Sequence, residues 1–363
     1  MTSALSDLLI NRIKKTGPIS VAEFMVEALH HKNIGYYTNS DPFGVAGDFT
    51  TAPEISQIFG ELIGLWVLNA YRNQAKDDPL CLVELGPGRG TLMSDMVRAI
   101  SNFANLEKMV ELHLVETNPI LRKVQDELLA NLKPTWHNDL STLPDQPWFL
   151  IANEFLDTLP VHQLIKNKNQ WNERLIDYNS ADKCFTWTST QSPSRLSLLI
   201  PEEISAKATK DALIEFSPAT LGVIKIIADN IARKGGAALL IDYGYVEPIF
   251  KPSIQAVRAH KIVDPLSNPG ISDLSCHVDF QSITNEAQYH EIDFHGPITQ
   301  GEFLTNMGIN ERAESLKRGS TIQQSKDIDT AVKRLTDRKE MGQLFKIIGL
   351  TAKDSPLPPG FTN

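Results

Sequence analysis

The stretch from Leu82 to Leu92 reads Leu-Val-Glu-Leu-Gly-Pro-Gly-Arg-Gly-Thr-Leu. An apolar run ends in Glu84, and Gly86, Gly88 and Gly90 follow before a helical pattern begins. Residues without a Cβ let the backbone turn sharply and let a ligand approach it. The helix start beyond them offers unpaired N–H groups. Two cofactor classes use such a turn. Dinucleotide sites favour Gly-x-Gly-x-x-Gly, with a pyrophosphate on the helix N-terminus. Here the spacing is Gly-x-Gly-x-Gly, and a carboxylate stands just before the first glycine. That carboxylate suits a ligand carrying an ammonium and a sulfonium, and sits poorly beside a pyrophosphate. The residues therefore point to S-adenosylmethionine, with S-adenosylhomocysteine as product, and away from nicotinamide chemistry. The glycines taken alone also fit a tight turn with no ligand.

The context adds further acids. Leu112–Val115 is apolar and ends at Glu116, where an acidic residue can hold a ribose diol through paired hydrogen bonds. Asp139, after Pro134–Asn138, stands where an adenine amino group could be bound, although turns attract Asp in any case. Trp148–Ala152 runs into Asn153, Glu154 and Asp157. In an open parallel sheet the crevice lies at the carboxyl ends of the strands, which places these three beside the methyl donor. Two carboxylates there can orient a guanidinium through charge-assisted hydrogen bonds. Asp157 could instead cap the following turn.

Positioning these groups requires a parallel α/β sheet. Short apolar runs at Cys81–Leu85, Glu111–Val115, Trp148–Ala152 and Ala237–Ile241 alternate with helical patterns at Thr91–Phe103, Ile120–Asn131 and Leu221–Arg233. This alternation predicts a sheet covered on both faces. Gln343–Leu350 reads as a final strand. Upstream, the first 75 residues read as helical, with a capping box at Ser20–Glu23 and a second at Thr51–Glu54. Apolar residues then recur from Ile55 to Val67 at helical spacing. Between Val161 and Thr190, alternating segments and two turns predict a small antiparallel insertion. Asp242–Asn285 is irregular and rich in proline; so long a segment is usually functional.

Composition excludes other classes. A net charge of -9 repels phosphate overall, and no basic arm is present, so no nucleic-acid partner is expected. Cys81, Cys184 and Cys276 are far apart, which argues against a zinc site or disulfide framework and fits a reducing compartment. No metal cofactor is expected. No apolar run reaches the ~18 residues of a membrane span. The N-terminal residues read as an amphipathic helix rather than a signal or arginine-rich transit peptide, so a cytoplasmic protein is expected.

At these residues the chain resembles the MidA family of methyltransferases, which includes the mitochondrial complex I assembly arginine methyltransferases. The carrying segments are Gly47–Ser56, Glu84–Gly90, Ala152–Asp157, Leu240–Gly244 and Asp273–Phe280, and the likeness runs from about Ile19 to Leu350. The resemblance implies a Rossmann-like seven-stranded α/β core with an N-terminal helical cap. Residues 1–75 would form the cap and 76–160, 211–245 and 286–350 the core. Residues 161–210 would form the antiparallel insertion and 246–285 a substrate-side insertion. It further implies symmetric dimethylation of protein arginine, with the quinone-site subunit of respiratory complex I as partner. Eukaryotic relatives would work in the mitochondrial matrix. By the same resemblance, Asp48, Thr51 and Ser56 lie near the cofactor or substrate mouth, and His277 and Asp279 face the acceptor. The chain lacks the paired-glutamate loop and Thr-His-Trp motif of the main arginine methyltransferase family. An assembly chaperone with a methyltransferase fold and a small-molecule methyltransferase are the alternatives, and a homodimer stays open.

Overall fold

The computed structural model describes residues 3–39, 51–74, 79–103 and 110–362. The chain forms two compact units. The larger comprises Thr50–Leu156, Gly222–Gly244 and Phe280–Asn363; the smaller comprises Met1–Phe49, Asp157–Leu221 and Tyr245–Asp279.

The larger unit is built on a central sheet. Its strands are β1 (Leu80–Leu85), β2 (Val110–Val115), β3 (Thr135–His137), β4 (Trp148–Asn153), β5 (Gly236–Tyr245), β6 (Asp293–Thr299) and β7 (Phe345–Thr351). Their order along the sheet is β6-β7-β5-β4-β1-β2-β3. β1 pairs in parallel with β2 and β4, β2 with β3, and β4 with β5. β7 runs antiparallel to both β5 and β6. Every residue of β1 and β4 is buried, which explains why both are apolar apart from Glu84 and Asn153 near their carboxyl ends. From β1 the chain works outward to β3 and then returns to the other side of β1. The strand order therefore reverses between β1 and β4, and a crevice opens at their carboxyl ends.

Helices cover the faces. Gln57–Asn73 buries Ile58, Phe59, Ile63 and Trp66. Gly60 and Gly64 bring it close to the helix Thr91–Phe103. A Cβ on Gly60 would stand 2.5 Å from the Asp95 Cβ, and one on Gly64 would stand 2.7 Å from the Met96 carbonyl oxygen. This helix, assigned by the sequence to the N-terminal cap, thus lies in the same unit as the sheet. β6 was not expected. Gly296 and Pro297 interrupt its pattern, and its register with β7 shifts between His295 and Ile298.

In the smaller unit Ala4–Thr16 buries Leu5, Leu9 and Ile13, the apolar face of the expected amphipathic helix. Ser20 caps Val21–His30 with both bonds of the capping box. The antiparallel insertion consists of His162–Asn167, Gln170–Asn179 and Cys184–Ser189. Leu213–Phe216 and the short N-terminal strand Ile19–Ser20 extend it at its edges. The irregular stretch contains a second small sheet of Gln255–Arg258, Lys261–Val263 and Asp273–Ser275. Among the described residues no helix is long and apolar enough to cross a membrane.

Candidate active site

The glycine turn lies at the carboxyl end of β1. Gly86, Gly88 and Gly90 have φ of 59°, 55° and 86°, the left-handed region where a side chain is strained. The turn is pinned to the next strand by the Gly86 N–H, which donates to the Val115 carbonyl at 3.0 Å. Glu84 is 3% exposed, and its Oε2 has no hydrogen-bond partner among the described residues. Burial pushes its carboxyl up to about 8. A buried carboxylate oxygen without a donor is costly, and among the described residues none supplies one to Oε2. A ligand with an ammonium group would supply that donor.

Glu116 leaves β2 and is buried. Its Oε1 accepts from the Asn118 N–H at 2.7 Å. Burial raises its pKa, against the hydrogen bonds it accepts. Asn118 also caps the helix Pro119–Leu129 through the Ile120 N–H at 2.8 Å. Two buried carboxylates, one of them held by a backbone N–H, therefore stand near the ends of adjacent strands, beside the glycine turn.

Asp139, expected at an adenine, is exposed on the 3₁₀ turn that follows β3. Its Oδ1 accepts from the Ser141 hydroxyl and, at 2.8 Å, the Ser141 N–H. These bonds hold the carboxyl below its ordinary range. Asp48 lies outside the described residues. Thr51 is buried but makes no side-chain cap, so the second capping box is not formed. Glu54 instead accepts from the Thr91 hydroxyl at 2.6 Å. Ser56 caps Gln57–Asn73, accepting from the Ile58 N–H at 3.2 Å.

This segment meets the exit of β4. The Ala52 N–H donates to Glu154 Oε1 at 3.2 Å, and Asn153 Nδ2 donates to the same oxygen at 3.3 Å. Asn153 is 8% exposed, and its Oδ1 has no hydrogen-bond partner among the described residues. Glu154 has φ of 51°, a left-handed conformation that costs a glutamate energy and clusters at functional sites. Asp242, which no reading of the sequence singled out, holds this exit in shape. Its Oδ2 accepts from the Phe155 and Leu156 N–H groups at 3.2 and 2.9 Å. Its signal in the sequence is an acid ending an apolar strand, as at Glu84.

The chain passes into the smaller unit between Leu156 and Asp157. Asp157 is buried, and its carbonyl accepts from the Cys276 N–H at 2.9 Å. The neighbouring His277 N–H donates to the Ser253 hydroxyl at 2.8 Å. Burial raises the Cys276 thiol, helped by the Glu215 and Asp157 carboxylates. Tyr37 donates to Asp273 Oδ1 at 2.7 Å, and burial with Asp273 and Asp157 raises its hydroxyl well above the usual range. Burial and the Asp279 and Glu215 carboxylates raise Tyr245 similarly. This unit therefore gathers Asp157, Glu215, Asp273 and Asp279 around two tyrosines and a thiol. Of these, only Asp157 and Asp279 were expected from the sequence as site residues.

With this geometry in hand, the relatives can be compared. The sequence profile of the Methyltransf_28 family, which describes S-adenosyl-L-methionine-dependent methyltransferases, matches residues 62–298. A Xenopus tropicalis protein named protein arginine methyltransferase NDUFAF7, mitochondrial, is 35% identical over 98% of this chain and 88% of its own. The Drosophila melanogaster homologue is 35% identical over 96% of this chain and 84% of its own. Among solved structures, a Burkholderia thailandensis protein described as a COG1565 superfamily member and methyl transferase, bound to S-adenosyl-homocysteine, superposes with a TM-score of 0.85. It is 25% identical, over 98% of this chain and 94% of that one.

Proposed function

This chain belongs to the S-adenosyl-L-methionine-dependent methyltransferase family, and we propose that within it the protein is an arginine N-methyltransferase. The observation that carries the reading is the near full-length identity to proteins named for that activity. The finer substrate we propose is an arginine of the quinone-site subunit of respiratory complex I, dimethylated symmetrically in the bacterial cytoplasm.

In this reading Glu84, Gly86, Gly88, Gly90 and Glu116 hold S-adenosylmethionine. Asp139, Thr51 and Ser56 line its surroundings. When bound, the cofactor supplies an electrophilic methyl on a sulfonium. The crevice between β1 and β4 and the bound S-adenosyl-homocysteine of the Burkholderia relative support this placement. The chain's own contribution is orientation. Glu154 would pair with a guanidinium through charge-assisted hydrogen bonds and draw positive charge toward the paired nitrogens, so that the remaining nitrogen is the more nucleophilic, and its carboxylate would take up the proton that the methylated nitrogen sheds. Asn153 Oδ1 offers an acceptor beside it. The smaller unit, taken by itself, carries Asp157, His277 and Asp279, whose carboxylates would attract a cation.

Two measurements test this. Labelled S-adenosylmethionine, incubated with the purified protein and the quinone-site subunit, should place symmetric dimethylarginine in that subunit by mass spectrometry. An arginine left unmodified, in vitro and in cells, would remove the substrate assignment.

Glu84 adds a pH signature. With its pKa near 8 the carboxyl is largely protonated at pH 7, and an ammonium ligand prefers the anion. Binding of S-adenosylhomocysteine below pH 8 should then release a proton, and affinity should rise up to about tenfold per unit between pH 6 and 8. The sign for the ligand-free fold is opposite. The folded value lies above the unfolded one, so this stabilising contribution is complete below the unfolded pKa and lost as pH rises through about 8. Calorimetry at pH 7 in buffers of different ionisation enthalpy counts the proton. Glu84→Gln should bring the count to zero; an unchanged count would place the titrating group elsewhere.

A further inference from the structure

Gln125 is completely buried, at the centre of the helix Pro119–Leu129, between Leu121 and Leu129 on the same face. Its side chain makes three hydrogen bonds. Nε2 donates to the Gly88 carbonyl at 2.7 Å and, more weakly, to Glu116 Oε2 at 3.4 Å. Oε1 accepts from the Trp136 indole N–H at 2.8 Å. An indole N–H only donates, so Trp136 dictates which end of the amide is oxygen and turns the nitrogen toward Gly88 and Glu116. The middle glycine of the turn and the carboxylate on the neighbouring strand end thus share one donor group.

We propose that Gln125 is a positioning residue of the cofactor site, its amide tying Gly88 to Glu116 while Trp136 holds that amide in orientation. The inference rests on the reading of Glu116 and the glycine turn as the S-adenosylmethionine site. Glu116 Oε1 is already engaged by the Asn118 N–H, and Gln125 engages Oε2, so the carboxylate is fixed from both sides. A fixed carboxylate can accept two hydrogen bonds from a vicinal diol without first being ordered, which is where affinity is gained. The same amide holds the left-handed Gly88 peptide in place. A hydrocarbon side chain of similar length would fill the space and do neither.

The test uses calorimetry on the full chain with S-adenosylhomocysteine and its 2′-deoxyribose analogue. The wild type should prefer the diol by about tenfold or more, the worth of hydrogen bonds to a charged group. Gln125→Met should bring that preference close to one. Leu121→Val, which loosens the same buried helix face without touching the amide, should keep it. Should Gln125→Met melt too low to assay, Gln125→Glu reads the same point. Its carboxylate faces the Gly88 carbonyl and Glu116, so the preference should be lost near neutral pH and regained as the added carboxyl is protonated. A wild-type preference retained in both Gln125 variants would overturn the proposal and leave Gln125 a core residue. So would the absence of a diol preference in a wild type that binds. A wild type that does not bind S-adenosylhomocysteine would instead overturn the cofactor reading.

Discussion

Replacing Gly88 with valine is expected to weaken S-adenosylhomocysteine binding by more than about 100-fold. Gly88 stands at φ 55°, and holding a β-branched residue there costs about 1–3 kcal/mol of backbone strain. Relaxing the strain moves the Gly88 carbonyl, which is tied to Gln125, and with it the turn. The rest of the sheet does not depend on this peptide, so the variant should keep its circular dichroism spectrum and melt only a few degrees lower, about 2–4 °C per kcal/mol for a chain of this size. Calorimetry and thermal melts read the two effects separately. Unchanged affinity would mean that the turn is structural. The same variant separates enzyme from scaffold. Cells carrying it should lose arginine methylation of the complex I subunit proposed as substrate. Complex I assembly that persisted without methylation would assign the essential role to the folded protein rather than to its chemistry.

Glu154→Gln is the second large effect, with kcat lowered by about 100-fold or more and cofactor affinity within about threefold of wild type. The substitution is close to isosteric. Glutamine keeps an oxygen for the Ala52 N–H, so the segment entering from Thr51 stays in place, and the cost to stability should be no more than about 1 kcal/mol. Only the charge proposed to orient a guanidinium is lost. Steady-state kinetics with a saturating cofactor, together with S-adenosylhomocysteine titration, distinguish a lost acceptor contact from a damaged cofactor site. A kcat close to wild type would sink the assignment of Glu154 to the acceptor.

Several features were legible in the sequence because their physics is local. A buried parallel strand reads as an apolar run, and β1, β2, β4 and β5 were found within one residue at their starts. Ser20 and Glu23 are three residues apart, so their reciprocal cap needs no distant partner. The glycine spacing directly encodes a backbone conformation, and all three glycines adopt it. Local reasoning failed where a distant partner competes. Thr51 and Glu54 have the spacing of a capping box, yet Glu54 goes to Thr91, 37 residues away. Asp242 and Gln125 each look like a lone polar residue in an apolar pattern. Their meaning lies in the Phe155 and Leu156 N–H groups and in Gly88, Glu116 and Trp136.

The sequence by itself determined the βα alternation, the left-handed turn and the acids at successive strand ends, since each is a property of neighbouring residues along one strand or loop. It also carried the family likeness. Tertiary structure decided the rest. It inserted β7 antiparallel between β5 and β6, added β6 despite Gly296 and Pro297, and divided the acids, with Glu154 in one compact unit and Asp157 in the other. It also left Glu84 buried with an oxygen unsatisfied. Whether a carboxylate is paired depends on which donors the packed chain brings within about 3 Å. That is a sum over residues far apart in sequence, and only the folded molecule carries it out.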